Sequence, residues 1–198
     1  MARTADKTDI PRRLTAAGFA LFNQQGFSAT GIQQITDQAG VPKGSFYNHF
    51  DSKEAFAAQI IAHYAESVEV AWSQALLGAP ADPLAALHHL FAQFIRHHEE
   101  AACPGCLVGN FAAEVSESSE SCRQALDGVM LHWRQRLADL IQIAQQAGQV
   151  RQDLSAKVLA GFFWDAWQGA LLRMKVAHTS KPLKDAVSLM LDHFFKPT

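Results

Sequence analysis

The chain has 198 residues, enough for one ordinary domain or two small ones and for a sizeable core without covalent staples. Apolar residues make up 48% and charged residues 18%, a globular and not a disordered composition. Seventeen basic against nineteen acidic side chains leave a net charge of −2, which excludes a generally basic nucleic-acid binder and confines any DNA contact to a local patch.

The most apolar stretch, Val158 to Val176, is interrupted by Asp165, Gln168, Arg173 and Lys175, so no membrane span is expected. The opening residues, MARTADKTDIPRRL, lack the apolar core of an export signal. Three cysteines are an odd number and too few for a disulfide scaffold. A cytoplasmic protein with reduced thiols is the expectation.

In chain order the pattern predicts an all-α protein of about nine helices. Leu14, Ala17, Gly18, Leu21 and Phe22 lie on one helical stripe, which Gly26 ends. Ile32, Ile35 and Ala39 mark a short second helix, with Thr30 as the expected N-cap and Gly40 as the stop. Val41-Pro42 opens a third, whose apolar side is Phe46 and Phe50. Asp51 with Glu54 reads as a capping box for a long fourth helix over about 52–77. Gly78-Ala79-Pro80 is the clearest boundary in the chain.

Asp82-Pro83 then caps a fifth helix bearing Leu84, Leu87, Phe91 and Phe94, which Pro104-Gly105 breaks. A short sixth helix runs from Cys106 to about Val115, and 116–121 is a polar connector. Leu126, Met130, Trp133, Leu137, Leu140 and Ala144 form an alternating four-three seam on the seventh helix. The eighth, about 155–177, is apolar nearly all round and is expected to be buried on every side. The ninth repeats the seam at Leu183, Val187, Met190 and Phe194.

Three short helices with a glycine-bearing turn between the second and third outline a helix-turn-helix unit. Leu21, Ile32, Ile35 and Phe46 are placed to fix the third helix, leaving Lys43, Ser45, Tyr47, Asn48 and His49 on its other face. That face holds donors and no acid, which suits a groove lined by phosphates. Pro42, Lys43 and Gly44 place backbone amides at a helix N-terminus, Gly44 permits close backbone approach, and Lys53 is placed for a flanking phosphate. Residues 1–54 hold six basic and five acidic side chains, a balance of only +1. On pattern alone the same segment also fits the first part of a plain helical bundle.

The stretch FNQQGFSATGIQQITDQAGVPKGSFYNHFDSKEAF resembles the DNA-binding segment of the TetR family of bacterial repressors. The likeness runs from Gly26-Phe27 through residues 40–50 to Ser52-Lys53-Glu54, and the nine-helix outline matches over the full chain. It implies a helix-turn-helix domain at 1–54, a connecting fourth helix, and an effector-sensing and dimerisation domain at 80–198. It implies that Thr30 and Gly31 approach DNA, that Lys43, Gly44 and Ser45 face the groove, and that Tyr47, His49 and Lys53 hold phosphates. It further implies a homodimer through helices eight and nine, and hence a palindromic double-stranded operator. A small-molecule inducer would act on the second domain. The family is not enzymatic, and no cofactor is expected.

Cys103-Pro104-Gly105-Cys106 is open to several readings. A thiol redox enzyme would use the pair, but the strand-helix-strand context is missing. A zinc site would add His97 and His98. A reactive thiol at Cys106 would sit at a helix N-terminus, where amides favour the thiolate. A small buried apolar residue is the plain alternative. Gly105-Cys106-Leu107-Val108-Gly109-Asn110, together with Trp164, Trp167, Gly169, Ala170, Arg173 and Lys175, is similar to the branch of the family that senses reactive electrophiles. That resemblance implies Cys106 as the sensing position, with Cys103 as a possible disulfide partner and Arg173 and Lys175 as cations at the matching end of helix eight. A cation on a buried helix wants an anionic partner; the alternative is that both reach solvent. Phe91, Phe94, Phe111, Trp133, Phe162, Phe163, Trp164 and Trp167 are candidates to line a ligand cavity or to be core. The histidine pairs at 88–89 and 97–98 read as solvated helix faces, with a pH switch as the alternative.

Overall fold

A computed structural model describes residues 9–101 and 105–197. Among them run nine α-helices and no strand: α1 (Ile10–Ala29), α2 (Ile32–Ala39), α3 (Gly44–Tyr47), α4 (Lys53–Leu77), α5 (Pro83–Glu100), α6 (Leu107–Val115), α7 (Glu120–Gln146), α8 (Ala156–Ala177) and α9 (Lys181–Ser188), the last continued by a π-helical turn at Leu189–Phe194. The all-α expectation holds, and the differences lie at helix ends and in burial. No helix among the described residues is long and apolar enough to cross a membrane.

Local chemistry explains the ends. Gly26 breaks α1 with φ of 82°, a left-handed conformation that side chains disfavour, and the chain resumes a short turn over residues 27–29. The N-cap of α2 is Gly31 and not Thr30. The Gly31 N–H donates to Gln34 Oε1 at 2.8 Å, while the Thr30 hydroxyl turns back to the Gly26 carbonyl at 2.7 Å. Gly40 closes α2 in the left-handed region at φ 64°. Pro42 lies before α3, not in it: its carbonyl accepts from Ser45 N at 2.9 Å. The cap of α4 is Ser52 rather than Asp51, its hydroxyl accepting from Ala55 N at 3.0 Å. Asp82 caps α5 and Ser155 caps α8.

Packing groups the chain into two compact units, Met1–Ala65 with Leu107–Gly128 and Glu66–Cys106 with Val129–Thr198. Packing therefore draws its line elsewhere than the break at Gly78-Ala79-Pro80. The chain passes from one unit to the other inside α4 and again inside α7. Aromatic contact is the reason in the first unit. Phe111 of α6 stands edge-on to Phe22 and Phe27, with centroids 5.2 and 6.0 Å away.

In the second unit Leu137, Ile141 and Ala144 of α7 and Leu159, Phe163, Trp167 and Met174 of α8 are buried. Burial of α8 is one-sided within the chain, contrary to the expectation from its composition. Val158, Phe162, Leu172 and Val176 are exposed, Val176 at 84%. A helix apolar all round shows how much surface seeks cover, not whether the cover comes from the same chain. At the C-terminus the seam ends on Phe195 and not Phe194. The π turn inserts one residue, so that Phe195 N bonds Met190 O at 2.8 Å and the Phe195 ring is fully buried against Phe163.

Gly18 and Gly128 separate packing from helix propensity. A Cβ at Gly18 would overlap the Phe56 ring, whereas one at Gly128 meets nothing within 4 Å. Gly18→Ala is expected to destabilise the protein by about 1–3 kcal/mol, and Gly128→Ala to stabilise it by about 0.5–1 kcal/mol. Urea unfolding of the two variants against the parent checks both signs.

Candidate nucleic-acid interface and sensing segment

The exposed face of the first unit is built on a helix of only four residues, too short to stand alone. Phe46 and Phe50 hold it from below, both buried. Phe56 of α4 receives both rings, with centroids 5.2 and 4.6 Å away, and meets Phe22 of α1 at 6.0 Å. Ile35 and Val41 complete this floor. Consequently Pro42, Lys43, Gly44, Tyr47, Asn48 and His49 are exposed together, Ser45 is half-buried, and Tyr47 is 54% exposed. A Cβ at Gly44 would meet nothing within 4 Å, so glycine is not required there by the fold of the chain itself. No acidic residue lies between Pro42 and Phe50.

Two expected contact residues are placed differently. The Thr30 side chain is fully buried and bonded to Gly26, so its hydroxyl serves the α1–α2 turn. Gly31 beside it is exposed. Lys53, at the start of α4, is half-buried, and its Nζ stands 4.0 Å from the centroid of the Phe27 ring. Burial pushes its ammonium below the ordinary lysine value, against the attraction of Glu54 and Glu114.

Arg13 shapes the turn. Its guanidinium donates to the carbonyls of Ala39 and, at 3.0 Å, Gly40, the unsatisfied C-terminal groups of α2. The sequence pattern did not single out Arg13, because a basic residue near an N-terminus carries no signal of a target 26 residues away. Phe56 and Phe111 were missed as anchors for the same reason: helical spacing shows a buried face and not its partner.

In the second unit Cys106 is 8% exposed, immediately before α6, and Gln168 Nε2 approaches its sulfur at 3.9 Å. Cys103, and with it the disulfide and zinc readings of the pair, lies outside the described residues. The third cysteine, Cys122, belongs to the first unit, where its buried thiol donates to the Glu54 carbonyl at 3.4 Å. Arg173 and Lys175 are both exposed on α8. The buried cation in need of an anion is therefore not what α8 carries, because a side chain near a helix end reaches water.

The candidate cavity residues are largely packed on one another. Phe91 lies 4.3 Å from Phe163 and 5.2 Å from Trp167, centroid to centroid, and Trp133 lies 5.5 Å from Trp164. Trp133 and Trp167 are buried, while Phe162 faces outward. His98 departs from the solvated-face expectation. It is buried beside Trp167 at 6.3 Å, and its Nδ1 has no hydrogen-bond partner among the described residues. Burial, helped by His97, lowers its pKa to about 4. His97 is exposed, as expected, and His88 is partly so, with Nε2 3.1 Å from Asp192.

Comparison with known proteins agrees with this geometry. Residues 14–60 match the family of bacterial regulatory proteins named for tetR, and residues 83–190 match the tetracyclin repressor-like C-terminal domain. The chain is 35% identical to the transcriptional repressor DhaR of a Mycobacterium species, over 97% of this chain and 96% of that one. It is 35% identical to the transcriptional regulator AcuR of Cereibacter sphaeroides, over 93% and 85%. It is 29% identical to the repressor NemR of Escherichia coli, over 91% of each. Among solved structures, a TetR regulatory protein from Rhodobacter sphaeroides superposes with a TM-score of 0.85 at 32% identity, covering 93% of this chain and 98% of that one. Reduced NemR superposes with a TM-score of 0.81 at 26% identity, covering 92% and 95%.

His98 makes stability pH-dependent in one window. Held neutral when folded and free to protonate near 6.5 when unfolded, it takes up a proton on unfolding. Stability is thus expected to fall as the pH drops from 6.5 toward 4, by on the order of 2 kcal/mol between pH 7 and 5 from this residue. His98→Phe should flatten that limb of the urea-unfolding profile. An unchanged slope would show that His98 is not its source.

Proposed function

Because the chain belongs to the TetR family of bacterial transcriptional regulators, we propose that it is a cytoplasmic, homodimeric repressor that reads a palindromic operator through α3 and is released by a small-molecule inducer. The observation that carries the reading is the exposed, acid-free face from Pro42 to His49, held up by buried Phe46 and Phe50. Lys43 and His49 supply charge or donors, Tyr47 and Asn48 supply polar contacts, and Gly31 and Gly44 offer backbone at close range.

The dimer would bury the outward stripe of α8. Val158, Phe162, Gly169, Leu172 and Val176 are exposed at heptad-like spacing, and Leu189 of the π turn is 61% exposed. An apolar groove of about 390 Å³ beside them is lined by Leu172, Arg173, Val176, Ala177 and Pro182. A second copy presents the same stripe, and two-fold symmetry makes such a surface self-complementary. Two linked heads share one binding event, which offsets the near-neutral charge of each.

The inducer reading centres on Cys106, supported by its place directly before α6 and by the likeness to NemR. An α,β-unsaturated carbonyl is the simplest electrophile to consider. The sulfur forms a bond to the β-carbon, the alkene π pair moves to the α-carbon, and that carbon takes the proton the thiol has given up. Burial means that the segment must open or the electrophile must be small. The Nδ1 of His98, which has no hydrogen-bond partner among the described residues and lies among packed aromatics, favours a second reading, a reversible ligand whose polar group satisfies it.

Three variants test the proposal on duplex DNA selected by the parent protein from a random pool. Lys43→Ala should weaken binding and make the salt dependence shallower, by roughly one unit in log–log slope. Gly44→Ala should leave the unfolding midpoint within the range of exposed helix substitutions and still weaken binding, since only DNA comes close to that atom. Cys106→Ser should bind as the parent does and resist release by a small unsaturated ketone. Release of Cys106→Ser at the parental dose would remove Cys106 from the mechanism and leave the reversible ligand.

A further inference from the structure

Glu114 lies on the outer face of α6, far in sequence from the DNA-facing residues, and nothing in the sequence pattern marks it. The structure brings it to the break in α1. After Gly26 the chain begins a new turn whose first amides have no helical acceptor. Glu114 Oε2 supplies one, accepting from Ser28 N at 2.9 Å across 86 residues. Gly26 is fitted to the same carboxylate, because any Cβ there would press into Glu114 Oε1. The next residue, Phe27, carries the Lys53 ammonium on its ring, and Glu114 attracts that ammonium. Just beneath, Phe111 of the same helix packs edge-on against Phe22 and Phe27.

From this we infer that Glu114 is a positioning residue for operator binding. Its carboxylate fixes the Gly26–Ser28 turn from which the chain enters α2, and keeps Lys53 seated on Phe27 at the edge of the DNA-facing surface. A charge-assisted hydrogen bond at the first free amide of a turn sets the direction of the following segment. Here that segment leads through buried Thr30 and exposed Gly31 into the helix-turn-helix. Its anchor stands on α6, the helix that begins one residue after Cys106. The inference rests on the operator-binding reading and not on the chemistry assigned to Cys106.

The test measures affinity for the duplex selected by the parent, beside affinity for an unrelated duplex and the thermal midpoint. Glu114→Ala should bind the selected duplex on the order of fivefold more weakly, with non-specific binding and midpoint close to parental. Glu114→Gln retains an acceptor for Ser28 N–H and should restore most of the affinity. Gly26→Ala should show a larger defect, and adding Glu114→Ala to it should cost no further affinity, since the first change already expels the carboxylate. Parental affinity in Glu114→Ala, equal loss in the Gln variant, or simple additivity with Gly26→Ala would each overturn the inference. A parent that selects no duplex at all would instead overturn the operator-binding reading on which it rests.

Discussion

The first unit depends on one ring. Phe56 sits on α4 against Gly18, Phe22, Phe46 and Phe50, and so joins the first, third and fourth helices at a single point. A four-residue helix has no stability of its own, so the orientation of the exposed face is decided by where this ring lets Phe46 and Phe50 lie. Gly18 is the counterpart of that constraint: the ring occupies the place of a Cβ. Edge-to-face aromatic packing is directional and dense, which suits an element that must present side chains at a fixed angle. Around it the polar devices work at the turns, with Arg13 on the carbonyls ending α2 and Glu114 on the amide that restarts the chain after Gly26.

The second unit solves a different problem. Its buried residues come from α5, α7, α8 and α9, yet α8 keeps Val158, Phe162, Leu172 and Val176 outside, on a face that also carries exposed Asp165. Exposing Phe162, Leu172 and Val176 in water is unfavourable by an amount proportional to their area, and the proposed homodimer would cover them. The π turn after α9 belongs to the same design. By shifting the register one residue it drives Phe195 inward to Phe163 and leaves Phe194 against Phe162, on the edge of that stripe.

Two buried polar groups stand among the apolar side chains of the second unit. Cys106 is shielded and touched by Gln168, and His98 is held neutral among aromatic rings with one nitrogen unpaired among the described residues. An unsatisfied polar atom in a packed interior is a standing cost.

Much of the protein was determined by its sequence alone. The helical period and the glycine and proline punctuation identified an all-α chain, because those are local properties with a fixed period or a fixed turn chemistry; the helix-turn-helix at its start was outlined by the pattern and singled out from a plain bundle by the resemblance of residues 26–54 to the TetR family. The face of α3 was legible for the same reason, since burying Phe46 and Phe50 leaves its neighbours outside. Tertiary structure alone decided which partner each apolar face meets. Thr30 was spent on the Gly26 carbonyl, Lys53 was laid on Phe27, α6 was drawn to α1 by Phe111, and His98 was buried while His97 stayed in water. Periodicity reports that a face is apolar, but a contact between residues 28 and 114, or between 13 and 39, depends on how helices cross, and crossing is settled by the packing of many side chains at once.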